Sequence, residues 1–83
     1  MFSTKFTIKE LKESKTIDSS GKTLQVRYIV GLVKDKKVAF KLWNDLTTDP
    51  KLILDKDIDV EFKIESREHN SNFFTDLTIT KIL

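Results

Sequence analysis

Residues 57–65, DIDVEFKIE, alternate without a break. Ile58, Val60, Phe62 and Ile64 fall on one side of an extended chain, with Asp57, Asp59, Glu61, Lys63 and Glu65 on the other. A period of two belongs to a β-strand with one face in a core and one in water. Residues 36–44, KKVAFKLWN, repeat the pattern, with Val38, Phe40 and Leu42 on the apolar face and Lys37, Ala39, Lys41 and Trp43 opposite. The chain has 83 residues, so these strands have to share one core in a single domain spanning residues 1–83.

The remaining segments read as further strands. Residues 1–11 place Phe2, Phe6 and Ile8 on one face, and Leu11 breaks that parity, which predicts a bulge near Lys9 and Glu10. Residues 13–22, ESKTIDSSGK, are polar and end in Ser-Ser-Gly, the composition of a hairpin loop. Residues 23–33, TLQVRYIVGLV, form a second strand whose evident inward set is Leu24, Val26, Tyr28, Val30 and Leu32. Gln25 and Arg27 then face out, and Gly31 marks a bend where the parity changes for Ile29 and Val33. A tight turn at Asp35 and Lys36 leads into the third strand.

Asp49–Pro50 has the chemistry of a helix N-cap followed by proline at the first helical position, predicting a short helix that ends near Leu54. Residues 66–72, SREHNSN, read as a polar loop and residues 72–83 as the last strand. Phe73 and Phe74 are neighbours on that strand and must face opposite sides, one toward the core and one outward. Three strands, a short helix and two strands predict a mainly β protein. The expected fold is the five-stranded OB-fold, a Greek-key barrel with its helix between strands 3 and 4. An SH3-like barrel is the competitor, but its helix usually follows the fourth strand.

Catalysis and cofactor chemistry find little support. The chain has no cysteine and one histidine, His69, in the expected loop beside Ser66, Glu68 and Ser71. A nucleophile needs a base held in fixed geometry, which a hairpin tip rarely provides. Asp55, Asp57 and Asp59 imitate the start of a calcium loop, but Val60 stands where glycine is required and Ser66 where a bidentate glutamate is required. Gly21 and Gly31 are too far apart for a glycine-rich phosphate loop. The expectation is a non-enzyme without metal or cofactor. No apolar run is long enough to be a signal peptide or to span a membrane, so a cytoplasmic protein is expected.

A binding surface remains. Trp43 and Lys41 stand on the outward face of the third strand, where a ring can stack on a base and an ammonium can meet a phosphate. Arg27 and Lys37 join them, while the fourth strand turns four acids outward against Lys63, so base and acid separate across the barrel. Arg67, His69 and Asn72 from the loop between strands 4 and 5, with Phe74 or its neighbour Phe73 as a second ring, complete the expected site. It suits a single strand of DNA or RNA, bound without sequence preference. The same aromatic surface would also serve a protein-interaction or homo-oligomeric assembly module.

KLWND, a helix, and then LDKDIDVEFKIESREHNSNFFTDL resembles a family of short bacterial OB-fold proteins of unknown function. The more specific part is IESRE followed by FFTDL, although His69 and Phe73 stand where that family tends to have tyrosine and tryptophan. More distantly, this half is similar to bacterial single-stranded DNA-binding proteins, in which a strand ends in an aromatic residue that stacks on bases, here matched by Trp43. That resemblance implies single-stranded DNA binding and assembly into homo-oligomers.

Overall fold

The computed structural model describes residues 2–83. The chain runs β1 (Phe2–Leu11), β2 (Lys15–Ser19), β3 (Lys22–Val33), β4 (Lys36–Trp43), a 3-10 turn (Asn44–Thr48), β5 (Asp57–His69) and β6 (Asn72–Ile82). The strands lie in the order β1-β5-β6-β4-β3-β2, and a further pairing of β1 with β3 closes the sheet on itself. Every pairing is antiparallel except β4 with β6, which is parallel and rests on one register pair, Lys41 with Thr78. Leaving β2 aside, the barrel is β1-β3-β4-β6-β5-β1 with a helical turn after its third strand. This is the expected OB-fold topology.

The core is built from the alternation seen in the sequence. Phe6, Ile8, Phe40, Leu42, Ile58 and Val60 are buried, together with Ile29, Ile79 and Ile82. Phe40 sits at the centre, with Phe6 edge-on at 4.9 Å and Phe62 at 5.1 Å. Phe6 and Phe40, both fully buried, each stabilise the fold by about 1.5–3 kcal/mol through area removed from water. The bulge in β1 falls where expected, because the register jumps from Ile8–Gly31 to Glu10–Val30. Lys9 is the extra residue, and its insertion returns Leu11 to the core side. Gly31 lies where β1 crosses β3 to close the barrel. A Cβ at this position would stand 1.9 Å from the Thr7 carbonyl oxygen and 2.7 Å from Phe6 Cζ.

Several expectations give way. Residues 13–22 are not all loop, because Lys15–Ser19 pairs with Thr23–Val26 through the register Lys15–Val26 to Ser19–Lys22. Polar side chains do not prevent pairing when both faces of a hairpin meet water. Ser20 and Gly21, with φ of 51° and 76°, make its two-residue turn. The helix is a 3-10 turn that starts earlier and stops before Pro50. Asp49, with ψ of 131° in the extended conformation that proline favours in the residue before it, caps the end of the 3-10 turn, and residues 50–56 form turns without a helix. The Asp49 carboxylate accepts a hydrogen bond from the Lys51 N–H at 2.8 Å.

The polar stretch before β6 is mostly strand, with β5 and β6 paired as far as His69–Asn72 and turning on Asn70 and Ser71, both at positive φ. Neither Phe73 nor Phe74 enters the core, since the β5–β6 arm extends past it and leaves them 70% and 53% exposed. Finally, β3 has the opposite phase from the one expected. Ile29, Gly31 and Val33 face the core, and Tyr28 is 41% exposed. Among the described residues no helix is long and apolar enough to cross a membrane.

Candidate nucleic-acid interface

The phase of β3 creates the candidate site. Paired residues of adjacent strands share a face. The register Val26–Trp43, Tyr28–Lys41, Val30–Ala39 and Leu32–Lys37 therefore sets an apolar strip of β3 beside the tryptophan and lysines of β4, outside the barrel. Lys41 lies between the two rings, its Nζ 4.6 Å from the Trp43 centroid and 5.9 Å from that of Tyr28. The face continues through Lys41–Thr78 into β6, and through Thr78–Lys63, Asp76–Glu65, Phe74–Arg67 and Asn72–His69 onto the β5–β6 arm.

Seven of the eight expected site residues meet on this curved face: Trp43, Lys41, Lys37, Arg67, His69, Asn72 and Phe74. Three hollows open along it. One of about 530 Å³ lies beside the β1–β2 connection, floored by Val26, Tyr28, Val30 and Ala39 and rimmed by Lys12, Glu13 and Lys15. A second, about 230 Å³, holds Lys41 and Trp43 between Arg67 and Thr78. At the tip of the arm, a third of about 380 Å³ is lined by Arg67, Glu68, His69 and Phe74.

Arg27 is the residue the structure does not bring in. It pairs with Leu42 and so faces the core side of the sheet. There it ties the end of the barrel together. Its Nε donates to the Lys12 carbonyl at 2.6 Å, and a terminal nitrogen donates to the Thr47 carbonyl at 2.9 Å. Thr47 is fully buried and donates its hydroxyl to the Asn44 carbonyl at 2.6 Å. Arg27 is thus a structural clamp between β3, the 3-10 turn and the β1–β2 connection.

The charge pattern is more mixed than the sequence suggests. Asp57 and Asp59 lie toward β1, paired with Thr7 and Lys5. Glu65 and Asp76, however, enter the second hollow beside the cations. Asp76 stands 3.7 Å from Lys41 and 3.7 Å from Arg67. At the opposite rim, Lys12 bonds Glu10 at 2.6 Å. That hydrogen bond and the ammonium charge hold the Glu10 carboxyl below its ordinary range, with a smaller contribution from Lys37. Tyr28 and Asp76 are the residues that sequence reasoning missed. Tyr28 was open to discovery, because a two-residue turn between the second and third strands puts even positions of one beside odd positions of the next. Asp76 gave no comparable signal.

No protein-family model matches the chain. No curated protein matches it in sequence. Among solved structures, it is similar to the second OB-fold domain of replication protein A from Methanococcus maripaludis, with a TM-score of 0.73 and 14% identity over 96% of this chain and 78% of that one. At that identity the likeness is one of fold, and this chain is an OB-fold domain.

Proposed function

We propose that this chain is a cytoplasmic, non-catalytic protein that binds single-stranded nucleic acid without sequence preference. One observation carries the reading: two aromatic rings, Trp43 and Tyr28, bracket Lys41 on an apolar sheet face that lies outside the core. Rings accept any base, and a cation between them suits the phosphate that joins two stacked bases. Lys37, Lys12 and Lys15 extend the phosphate path toward the β1–β2 connection, and Arg67, His69, Asn72 and Phe74 extend it along the β5–β6 arm. The face corresponds to the one OB-folds use for oligonucleotides, and the solved neighbour's replication name supports the same reading at the level of fold.

Salt dependence tests it. Binding of oligo-dT, followed by Trp43 fluorescence, should saturate and weaken as salt rises, because each neutralised phosphate releases counterions. Changing Lys37 and Lys41 together to glutamate should reduce affinity at least about 100-fold, since two attractions become repulsions, each phosphate contact being salt-sensitive. Mass in solution should not change. Survival of binding in the double variant would remove the lysines from the site.

A second reading is favoured by the other side of the arm. Phe2, Ile64 and Phe73 are exposed, and Phe2 stacks on Phe62 at 5.7 Å. An apolar stripe of this kind suits assembly with a second copy. A solution mass of twice the monomer, lost on changing Phe73 and Ile64 to serine, would support it. The two readings are compatible because they use opposite faces of the same hairpin.

A further inference from the structure

One face of the Trp43 ring is already occupied. The Lys41 ammonium stands over the indole at 4.6 Å from its centroid. Asp76 helps to keep it there. Its Oδ2 atom lies 3.7 Å from Lys41 Nζ and also 3.7 Å from a terminal nitrogen of Arg67, so one carboxylate oxygen faces two cations from β4 and β5. Hydrogen bonds between an ammonium or guanidinium and a carboxylate measure about 2.7–2.9 Å, so both contacts are attractions of charge without that bond. The Lys41 and Asp76 side chains are only 16% and 25% exposed, which limits screening by water. Glu65 shares the hollow, but its carboxylate is 3.5 Å from Lys63 and faces a cation of its own.

We infer that Asp76 is an internal stand-in for a phosphate. In the free protein it holds Lys41 over Trp43 and Arg67 beside it. A phosphodiester offers the same two cations a charged oxygen, and it has a second oxygen free for the Arg67 fork. When it takes the place of Asp76, Lys41 follows the new anion and its ammonium leaves the indole, which opens to a base. Phosphate contact and base stacking are thereby coupled. Asp76 sets how weakly the site binds, and it rejects ligands that carry a flat ring but no phosphate. The inference rests on the proposed nucleic-acid reading and adds a residue whose removal improves binding.

Asp76→Asn keeps the shape and removes the charge. The variant should bind oligo-dT about three- to tenfold tighter at low salt, the effect of one released ion pair and one lost repulsion. Trp43 emission of the free variant should also differ from that of the unsubstituted protein. Asp76→Ser, with a different hydrogen-bonding group, should act in the same direction. Unchanged or weaker binding in both folded variants, with Trp43 emission unmoved, overturns the inference and leaves the nucleic-acid reading standing.

Inorganic pyrophosphate separates the two claims. It carries no base, yet it should shift Trp43 emission in the unsubstituted protein and do so at lower concentration in Asp76→Asn. If oligo-dT binds neither protein, the nucleic-acid reading fails, and the pyrophosphate response alone then decides the exchange. A shift upholds it and no shift overturns it.

Discussion

Replacing Trp43 with alanine is expected to weaken oligo-dT binding by about 1–3 kcal/mol, or roughly 5- to 150-fold, because one stacked base loses its platform. The measurement is fluorescence anisotropy of a labelled oligonucleotide, since the variant lacks the intrinsic probe. Trp43 is partly buried and pairs with Val26 at the end of β4, so the variant also loses some packing. A thermal melt separates that cost from the binding loss. Trp43→Phe keeps a ring and should recover most of the affinity. Phe73→Ala is the matched control: Phe73 is the more exposed ring of its pair but lies on the other face of the arm, so affinity should stay within about twofold. If Phe73→Ala cost as much as Trp43→Ala, the ligand would be on the wrong face for this account.

Gly31→Ala should be the most damaging small substitution in the barrel. Alanine is at ease in an extended strand, so the difficulty is space. Its Cβ would lie 1.9 Å from the backbone oxygen of Thr7 and 2.7 Å from the Phe6 ring. The ring can shift, but the oxygen belongs to β1 at the pairing that closes the barrel. Separating the strands would also open the core around Phe6. Overpacking typically costs 1–3 kcal/mol, and an obstruction on backbone puts this case at about 3 kcal/mol or more. Domains of this size hold only about 4–12 kcal/mol in total. The expected result is a melting temperature lower by more than about 12 °C. A drop under about 4 °C would mean that β1 and β3 are less tightly closed than described.

The same crossing shows how far the sequence could be read. The β1 bulge was visible because Leu11 broke a clear parity, and β4 and the first half of β5 were visible because each has one apolar and one polar face. In β3 that contrast misleads. LQVRYIVGLV is apolar throughout on the side that floors the interface, while the side that fills the core begins with Gln25 and Arg27 before Ile29, Gly31 and Val33, so periodicity favours the wrong face. The turn could have chosen correctly. With Val38, Phe40 and Leu42 inward, any two-residue connection requires odd positions inward on β3, which places Tyr28 beside Lys41. The observed turn at Lys34 and Asp35 does this.

Residues 13–22 and 66–72 read as loop in the sequence for a different reason. Their strands are held by backbone hydrogen bonds between water-facing side chains, and polarity does not register that pairing. Composition separates base from acid, but the fold mixes them: Glu65 lies beside the cations, and Asp76 reaches Arg67 within the β5–β6 hairpin and Lys41 because β6 lies parallel to β4.

The central claim is that the β3–β4 face, continued onto the inner side of the arm, holds a single strand. The most direct measurement is a two-dimensional amide and indole NMR titration of the labelled protein with a short oligo-dT. The expected result is saturable shifts at the Trp43 indole N–H and the amides of Tyr28, Lys41, Arg67 and Phe74, with Phe2, Ile64 and Phe73 unmoved. Shifts confined to Phe2, Ile64 and Phe73, or no shifts at low salt, would contradict it.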